Sequence, residues 1–250
     1  MKNNVKISVV TATWNAARTL QDCLNSVAQQ TYLNLEHVVV DGVSSDGTLD
    51  LINENIDQIH IFKSERDNGI YDALNKGFKL STGDVVGILH SDDFYYDNSV
   101  LEKVAEAFQD SSVEYVYGDI QMINSEGQQV RYWKAGPLFN GKIRSTQIPH
   151  PSLFLSRGLI QKLEPPFDSS YRISADLKQQ LIFANILNAK GVYISSPLVR
   201  MRIGGTSTAN LQAYLEGWKE SRRAWNEVHG RGGAMYVLKK VFSKLKGLRC

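Results

Sequence analysis

Residues 5–30 read VKISVVTATWNAARTLQDCLNSVAQQ. Val5–Val10 is a short, largely β-branched run. From Asn15 to Gln30 the apolar residues Ala17, Leu20, Leu24 and Val27 recur at helical spacing. A strand, a polar loop (TATWN, 11–15) and an amphipathic helix therefore follow in order, and the unit repeats outward. Leu35–Val40 is a second strand and Gly47–Ile56 a helix, Ile59–Lys63 a third strand and Ile70–Lys79 a helix, and Asp84–Leu89 a fourth strand. This alternation predicts an α/β fold, a Rossmann-like, mostly parallel sheet flanked by helices. Beyond it the pattern predicts a helix over 99–109 and a strand over Val113–Ile120. A hairpin turning at Asn124–Gly127 leads into Gln129–Trp133, and Ser152–Leu155 is a further strand. Leu177–Asn188 reads as a helix, Val192–Ile194 as a strand and Ala209–Glu227 as a long helix.

The chain has 250 residues, 42% of them hydrophobic, enough to bury a core in one large domain. Its formal charge is only +2, which excludes nucleic-acid binding as a whole-chain property. The charge is unevenly spread: residues 231–250 hold six basic and no acidic residues, leaving 22 basic and 26 acidic residues in the rest. Two cysteines, Cys23 and Cys250, make no disulfide framework and point to a reducing compartment. No signal-peptide pattern opens the chain and no window approaches the length of a membrane span. The expectation is a cytoplasmic protein whose membrane contact, if any, is peripheral.

Ligands of open parallel sheets bind beyond the carboxyl ends of the strands. The four strands end in TATWN (11–15), DGVSSDGT (41–48), SERDNG (64–69) and HSDD (90–93), all polar, acidic or glycine-rich. GxxxxGK[ST] is absent, as is GxGxxG after the first strand, so neither a P-loop NTPase nor a dinucleotide oxidoreductase fits. Carboxylates at Asp92 and Asp93 would repel an anionic ligand unless a hard cation, Mg2+ or Mn2+, lay between them.

Four strings fall in order across residues 8–93: SVVTATWNAARTLQDCLNSVAQQTY, VVVDGVSSDGT, SERDNGIYDALNKGFKLSTGD and LHSDD. Weaker ones follow at 150–154, 173–176 and 204–207. Through them residues 1–210 resemble the glycosyltransferase family 2 enzymes of GT-A fold, especially the bacterial branch that builds capsule, exopolysaccharide and O-antigen. The resemblance implies a nucleotide site lined by Thr11, Thr13 and Asn15, with Asp41 reading the uracil or ribose edge. Asp67 and Asn68 would close over the nucleoside, with Tyr71 and Asn75 on the adjacent helix. Ser91, Asp92, His150 and Gly205 would meet the donor sugar or diphosphate, and Arg200 and Arg202 would supply nearby charge. Asp93 is expected to be the direct ligand of Mn2+ or Mg2+, with Asp92 facing the donor sugar or a metal-bound water. Asp176 matches the position of the base that takes a proton from the acceptor hydroxyl. The sequence departs from the family at Ser-Ala-Asp-Leu-Lys (174–178), where relatives often carry a second acid, and at His150-Pro151, where the branch commonly has His-Gln.

Domain organisation follows: 1–230 as the GT-A domain (1–98 its nucleotide-binding half, 99–230 its acceptor-side half) and 231–250 as a basic amphipathic tail. In that tail Leu238, Val241, Phe242 and Leu245 share one helical face, with Lys239, Lys240, Lys244 and Lys246 around it. The expected enzyme is an inverting, metal-dependent transferase moving a sugar from a nucleotide-sugar, UDP-linked by preference, to a lipid-linked saccharide. It would sit peripherally on the inner face of the membrane, held by 231–250 against anionic lipid, and removing that tail would leave donor hydrolysis intact. The competing readings are a non-catalytic nucleotide-sugar-binding subunit and a sugar nucleotidyltransferase. The second lacks the glycine-rich, basic loop it would need after the first strand.

Overall fold

The computed structural model describes residues 5–145, 147–204 and 211–247. Gly205, expected over the donor, lies outside them. The first half contains β1 (Ile7–Thr13), α1 (Leu20–Ala28), β2 (Leu35–Asp41), α2 (Thr48–Glu54), β3 (Ile61–Ser64), α3 (Ile70–Leu80) and β4 (Val85–Ile88). These strands pair in parallel in the order β3-β2-β1-β4. The chain steps outward from β1 to β3 and returns to the other side of β1 with β4. The crevice at this reversal of strand order opens beyond the carboxyl ends of β1 and β4.

The second half comprises β5 (Phe94–Tyr95), α4 (Val100–Ala107), β6 (Tyr115–Ile123), β7 (Gln129–Trp133), β8 (Leu153–Ser156), α5 (Arg157–Gln161), α6 (Ala175–Leu181), β9 (Gly191–Arg202), α7 (Leu211–His229) and α8 (Gly233–Gly247). β8 joins the sheet antiparallel to β4, and β6 is antiparallel to β8. β9 then runs parallel to β6, with β5 antiparallel on its outer edge.

Alternation along each buried strand divides the core between the two faces of the sheet. Val10, Val38, Val40, Val86 and Ile88 pack with Leu74 and Phe78 of α3. Ile7, Val9, Val39 and Val85 face Leu20, Leu24 and Val27 of α1 and Val104 of α4. The approach of α3 to the sheet depends on Gly77, where a Cβ would lie 2.3 Å from Cγ1 of Val10.

Several boundaries differ from the sequence pattern for identifiable reasons. The first helix starts at Leu20 rather than Asn15, because Asn15 adopts a left-handed conformation (φ 50°) in the preceding loop. The helix expected over Leu177–Asn188 is α6 followed by a π-helical turn at Ile182–Ile186. β9 runs far beyond Val192–Ile194, through Pro197 to Arg202, by shifting its register against β6 around Asp119. The two-residue β5 and the five-residue α5 are too short to leave a periodic signal.

The C-terminal helix is built into the body on one side. Tyr236 is 2% exposed and stacks on Trp225 of α7, with ring centroids 4.6 Å apart. The backbone N–H of Gly233 donates to Oδ1 of Asn226 (2.9 Å). Met235, Leu238 and Phe242 remain exposed. Among the described residues no helix is long and apolar enough to cross a membrane.

Candidate active site

The loops after β1 and β2 are tied together by side chains that satisfy each other's backbone groups. The N–H of Asn15 donates to Oγ of Ser44 (2.8 Å), and the N–H of Ser45 donates to Oδ1 of Asn15 (2.8 Å). Ala16 N–H donates to Oγ1 of Thr48 (2.8 Å). Fully buried Asp41 accepts from the Ser44 hydroxyl and N–H (2.5 and 3.1 Å), and from Oγ of Ser64 (2.7 Å), linking the ends of β2 and β3. Over Gly42 the space is closed: a Cβ there would meet the Asp67 carboxylate at 2.6 Å and Trp14 at 3.3 Å. Asp67 is held in place by the N–H of Gly69 (2.9 Å), while Asn68 is exposed beside it.

Thr13, Asn15, Asp41 and Asp67 thus lie together at the carboxyl ends of β1 to β3, joined by exposed Trp14, which the sequence reading did not name. The hydroxyl of Thr13 is buried with no hydrogen-bond partner among the described residues, an unsatisfied polar group at the end of β1 where a ligand would complete it. Thr11 is placed differently: it is wholly buried and its Oγ1 lies 3.0 Å from Nε2 of His37, inside the core. Asn75 likewise uses both ends of its amide on the backbone of Phe167 (2.7 and 2.9 Å), bracing α3.

The turn after β4 closes with Asp93 N–H donating to the carbonyl of His90 (3.0 Å), with Ser91 partly exposed within it. The two carboxylates differ in burial. Asp93 is 2% exposed and accepts from the N–H of Arg202 on β9 (3.2 Å), whereas Asp92 is partly exposed at the cleft. Burial, and then the charge of Asp92, push the Asp93 carboxyl well above the usual range. Arg202 crosses the turn, donating to the carbonyl of Asp92 (2.9 Å) and pairing with Asp22. Among the described residues no group of three or more His, Cys, Asp or Glu side chains is arranged to hold a metal. Two adjacent carboxylates, one strained by burial, still fit Mg2+ or Mn2+, which complete their shells with phosphate and water.

Asp176, in the first turn of α6, is the meeting point of distant segments. It is 5% exposed. Its Oδ2 accepts from Nε2 of Gln147 (2.8 Å) and lies 3.4 Å from Nδ1 of His150, and its Oδ1 is 3.5 Å from the Tyr71 hydroxyl. That hydroxyl donates to the carbonyl of Ile173 (2.6 Å), so Tyr71 serves this cluster and not the nucleotide loops. Nε2 of His150 lies 2.5 Å from Nε2 of His90. The proton arrangement that satisfies all three groups has His90 donating to His150 and His150 donating to Asp176. Burial, reinforced by His150, pushes His90 down to about 3, which keeps it neutral. Burial alone would raise Asp176, but the hydrogen bond from His150, together with the charge of Lys240, holds it below the usual carboxylate range. The result is a desolvated carboxylate that stays ionised.

Two further residues of this region escaped the sequence reading. Glu220 of α7 is 6% exposed and accepts from the backbone N–H groups of Arg172, Ile173 and Ser174 (2.7, 2.8 and 2.8 Å), fixing the entry to α6. His90 stands directly before the acidic turn and connects it to Asp176. A histidine at a strand end, directly before the acidic turn, was the available signal for His90. Glu220 lies in a long helix and carries no local signal.

Comparison with known proteins identifies the fold and the family. A PGL/p-HBAD biosynthesis glycosyltransferase of Mycobacterium tuberculosis is 34% identical over 173 residues, covering 68% of this chain and 66% of that protein, so the match spans just under two thirds of the relative. A Bacillus subtilis protein named for teichuronic acid biosynthesis, TuaG, is 25% identical over 226 residues, covering 88% of this chain and 85% of its own. Among solved structures, Staphylococcus aureus TarS 1-349 in complex with UDP has a TM-score of 0.66 at 17% identity, covering 94% of this chain and 69% of that one. The mannosyltransferase PcManGT of Pyrobaculum calidifontis, in complex with GDP-Man and Mn2+, has a TM-score of 0.69 at 17% identity, covering 97% and 71%. These likenesses establish the GT-A fold. The family profile described as "Glycosyl transferase family 2" matches residues 8–162, more than half of the sequence, and the chain belongs to that family.

Proposed function

We propose that this protein is an inverting glycosyltransferase that moves a sugar from a nucleotide-sugar, UDP-linked by preference, to a lipid-linked saccharide in bacterial cell-surface polysaccharide synthesis. One observation carries the reading. Asp176, an ionised and nearly dry carboxylate, is joined through His150 to His90, which leads into the acidic turn at Asp92. Base and leaving-group site are therefore parts of one connected structure. In the reaction, the acceptor hydroxyl oxygen bonds to the anomeric carbon as the bond from that carbon to the diphosphate oxygen breaks. Asp176 takes the hydroxyl proton. His150 and Gln147 hold the carboxylate in line, while Thr13, Asp41, Asp67 and Trp14 form the nucleoside wall. Asp93 and Asp92 are the residues that would hold Mn2+ or Mg2+, which would neutralise the departing diphosphate.

The relatives' names support a cell-surface glycan as the product. UDP in the TarS complex and GDP-Man with Mn2+ in the PcManGT complex support a nucleotide-sugar donor with a divalent cation. A thermal-shift panel tests the reading: UDP and UDP-sugars with Mn2+ should raise the melting temperature by several degrees, and UDP without metal by less. No shift with any nucleotide would sink the proposal.

Membrane contact belongs to the same reading. The exposed side of α8, with Met235, Leu238 and Phe242 among lysines, suits the surface of an anionic bilayer, each lysine adding on the order of 1 kcal/mol. Deleting 231–250 cannot test this cleanly, contrary to the sequence expectation, because Tyr236 is buried in the core. The double substitution Leu238→Asp and Phe242→Asp, both on the exposed side, should abolish flotation with anionic vesicles while the fold is kept. Unchanged flotation would remove the membrane assignment.

A further inference from the structure

The C-terminal helix also reaches the centre of the site. Lys240 of α8 donates from Nζ to Oε1 of Gln147 (2.8 Å), and Gln147 donates from Nε2 to Oδ2 of Asp176 (2.8 Å). A carboxamide has one accepting end and one donating end. With an ammonium at the first and a carboxylate at the second, its orientation is determined and the three groups form a polarised chain. Lys240 is aimed by a second bond, to Oγ of Ser221 on α7 (3.2 Å). One turn earlier on α8, Tyr236 is buried with a hydroxyl that has no partner among the described residues. From the geometry we infer that α8 completes the catalytic base: Lys240, acting through Gln147, is a positioning residue for Asp176.

Cationic residues on an amphipathic helix ordinarily serve its solvent or lipid side. Lys240 departs from that pattern by being partly buried and turned toward the body, whereas Lys239 is exposed. The groups facing Asp176 are His150, with His90 behind it, Tyr71 from α3, and Tyr236 and Lys240 from α8, while Glu220 of α7 acts on Tyr71 and on the backbone before α6. Of these only Lys240 carries a fixed positive charge. It favours the ionised carboxylate while Gln147 sets which oxygen stays bonded to the body. A helix otherwise suited to a membrane surface thereby bears directly on the geometry of the base.

The inference rests on the proposed function for the role of Asp176, but the contact can be measured without turnover. A double-mutant cycle of Lys240→Met and Asp176→Asn in the full chain is read as the midpoint of acid unfolding. Asp176 is held below its unfolded pKa, so the stability it contributes is present above that value and lost as pH falls through the folded one. Removing the Lys240 charge raises the folded value, so the acid midpoint should move to higher pH. In the Asp176→Asn background the same substitution should leave the midpoint unmoved. In the transfer reaction, Lys240→Met should lower kcat about tenfold at unchanged donor KM and move the acidic limb of the pH–rate profile upward. Lys240→Arg should restore both. Equal acid shifts in the two backgrounds, no shift in either, or a kcat loss that Lys240→Arg does not rescue would overturn the inference. A wild-type protein that turns over no nucleotide-sugar defeats the proposed function instead, and the cycle still decides whether Lys240 and Asp176 are coupled.

Discussion

Asp176→Asn is expected to reduce sugar transfer by about 10²–10⁴-fold while donor affinity stays as it was. The separation follows from placement. Asp176 bonds Gln147 and His150 and lies beside Tyr71, whereas the proposed nucleoside wall, Thr13, Asp41, Asp67 and Trp14, stands on the other loops. An asparagine fits the same space and still accepts one hydrogen bond, so the fold should survive, but an amide takes no proton from an attacking hydroxyl. Wild-type activity should be lost as pH falls through the lowered pKa of Asp176, below the usual carboxylate value of about 3.9. Between pH 5 and 8 the base is then already ionised, and any limb seen there belongs to another group. Steady-state kinetics beside isothermal titration with UDP and Mn2+ check both halves of the prediction. If transfer persists near the wild-type rate, Asp176 is only an acid at a helix N-terminus.

Much of this was legible in the sequence because the first half is local. Each strand, its loop and the helix after it are contiguous, so period and loop composition reveal the parallel half and its ligand edge together. Asp41 and Asp67 could be placed at the carboxyl edge of the sheet from loop position alone. The partners of Thr11 and Asn75 could not be read that way, since a strand position does not say which neighbour takes its hydroxyl, nor a helix position which backbone takes its amide. In the second half the informative contacts are long-range. Gln147, Asp176 and Lys240 come from three elements, and Glu220 reaches the entry to α6 from α7. β9 looked like a three-residue strand because Pro197 interrupts its pattern, although pairing with β6 continues past it. Both carboxylates of the acidic turn are visible in the sequence, but their difference in burial is a property of the assembled sheet.

The carboxylates of the acidic turn should respond to substitution in opposite ways. Asp92→Asn is expected to remove the stabilisation that Mn2+ adds to the UDP-bound protein and to lower transfer by roughly 10²–10³-fold. Asp93→Asn should instead raise the melting temperature of the metal-free protein at pH 7. Asp93 is buried, meets the N–H of Arg202, and is pushed well above the usual range by burial and by Asp92. A carboxyl whose folded pKa is raised binds its proton more tightly in the native state, so metal-free stability falls as pH climbs from the unfolded value toward the folded one. An asparagine keeps the acceptor for Arg202 and removes that penalty. About 1 kcal/mol gained would raise the melting temperature by a few degrees in a chain of this size. The gain should fade at pH 4, where the wild-type carboxyl holds its proton. Loss of stability in Asp93→Asn at pH 7 would mean that the charge is already compensated without a cation, and the acidic turn would then have no electrostatic reason to recruit one.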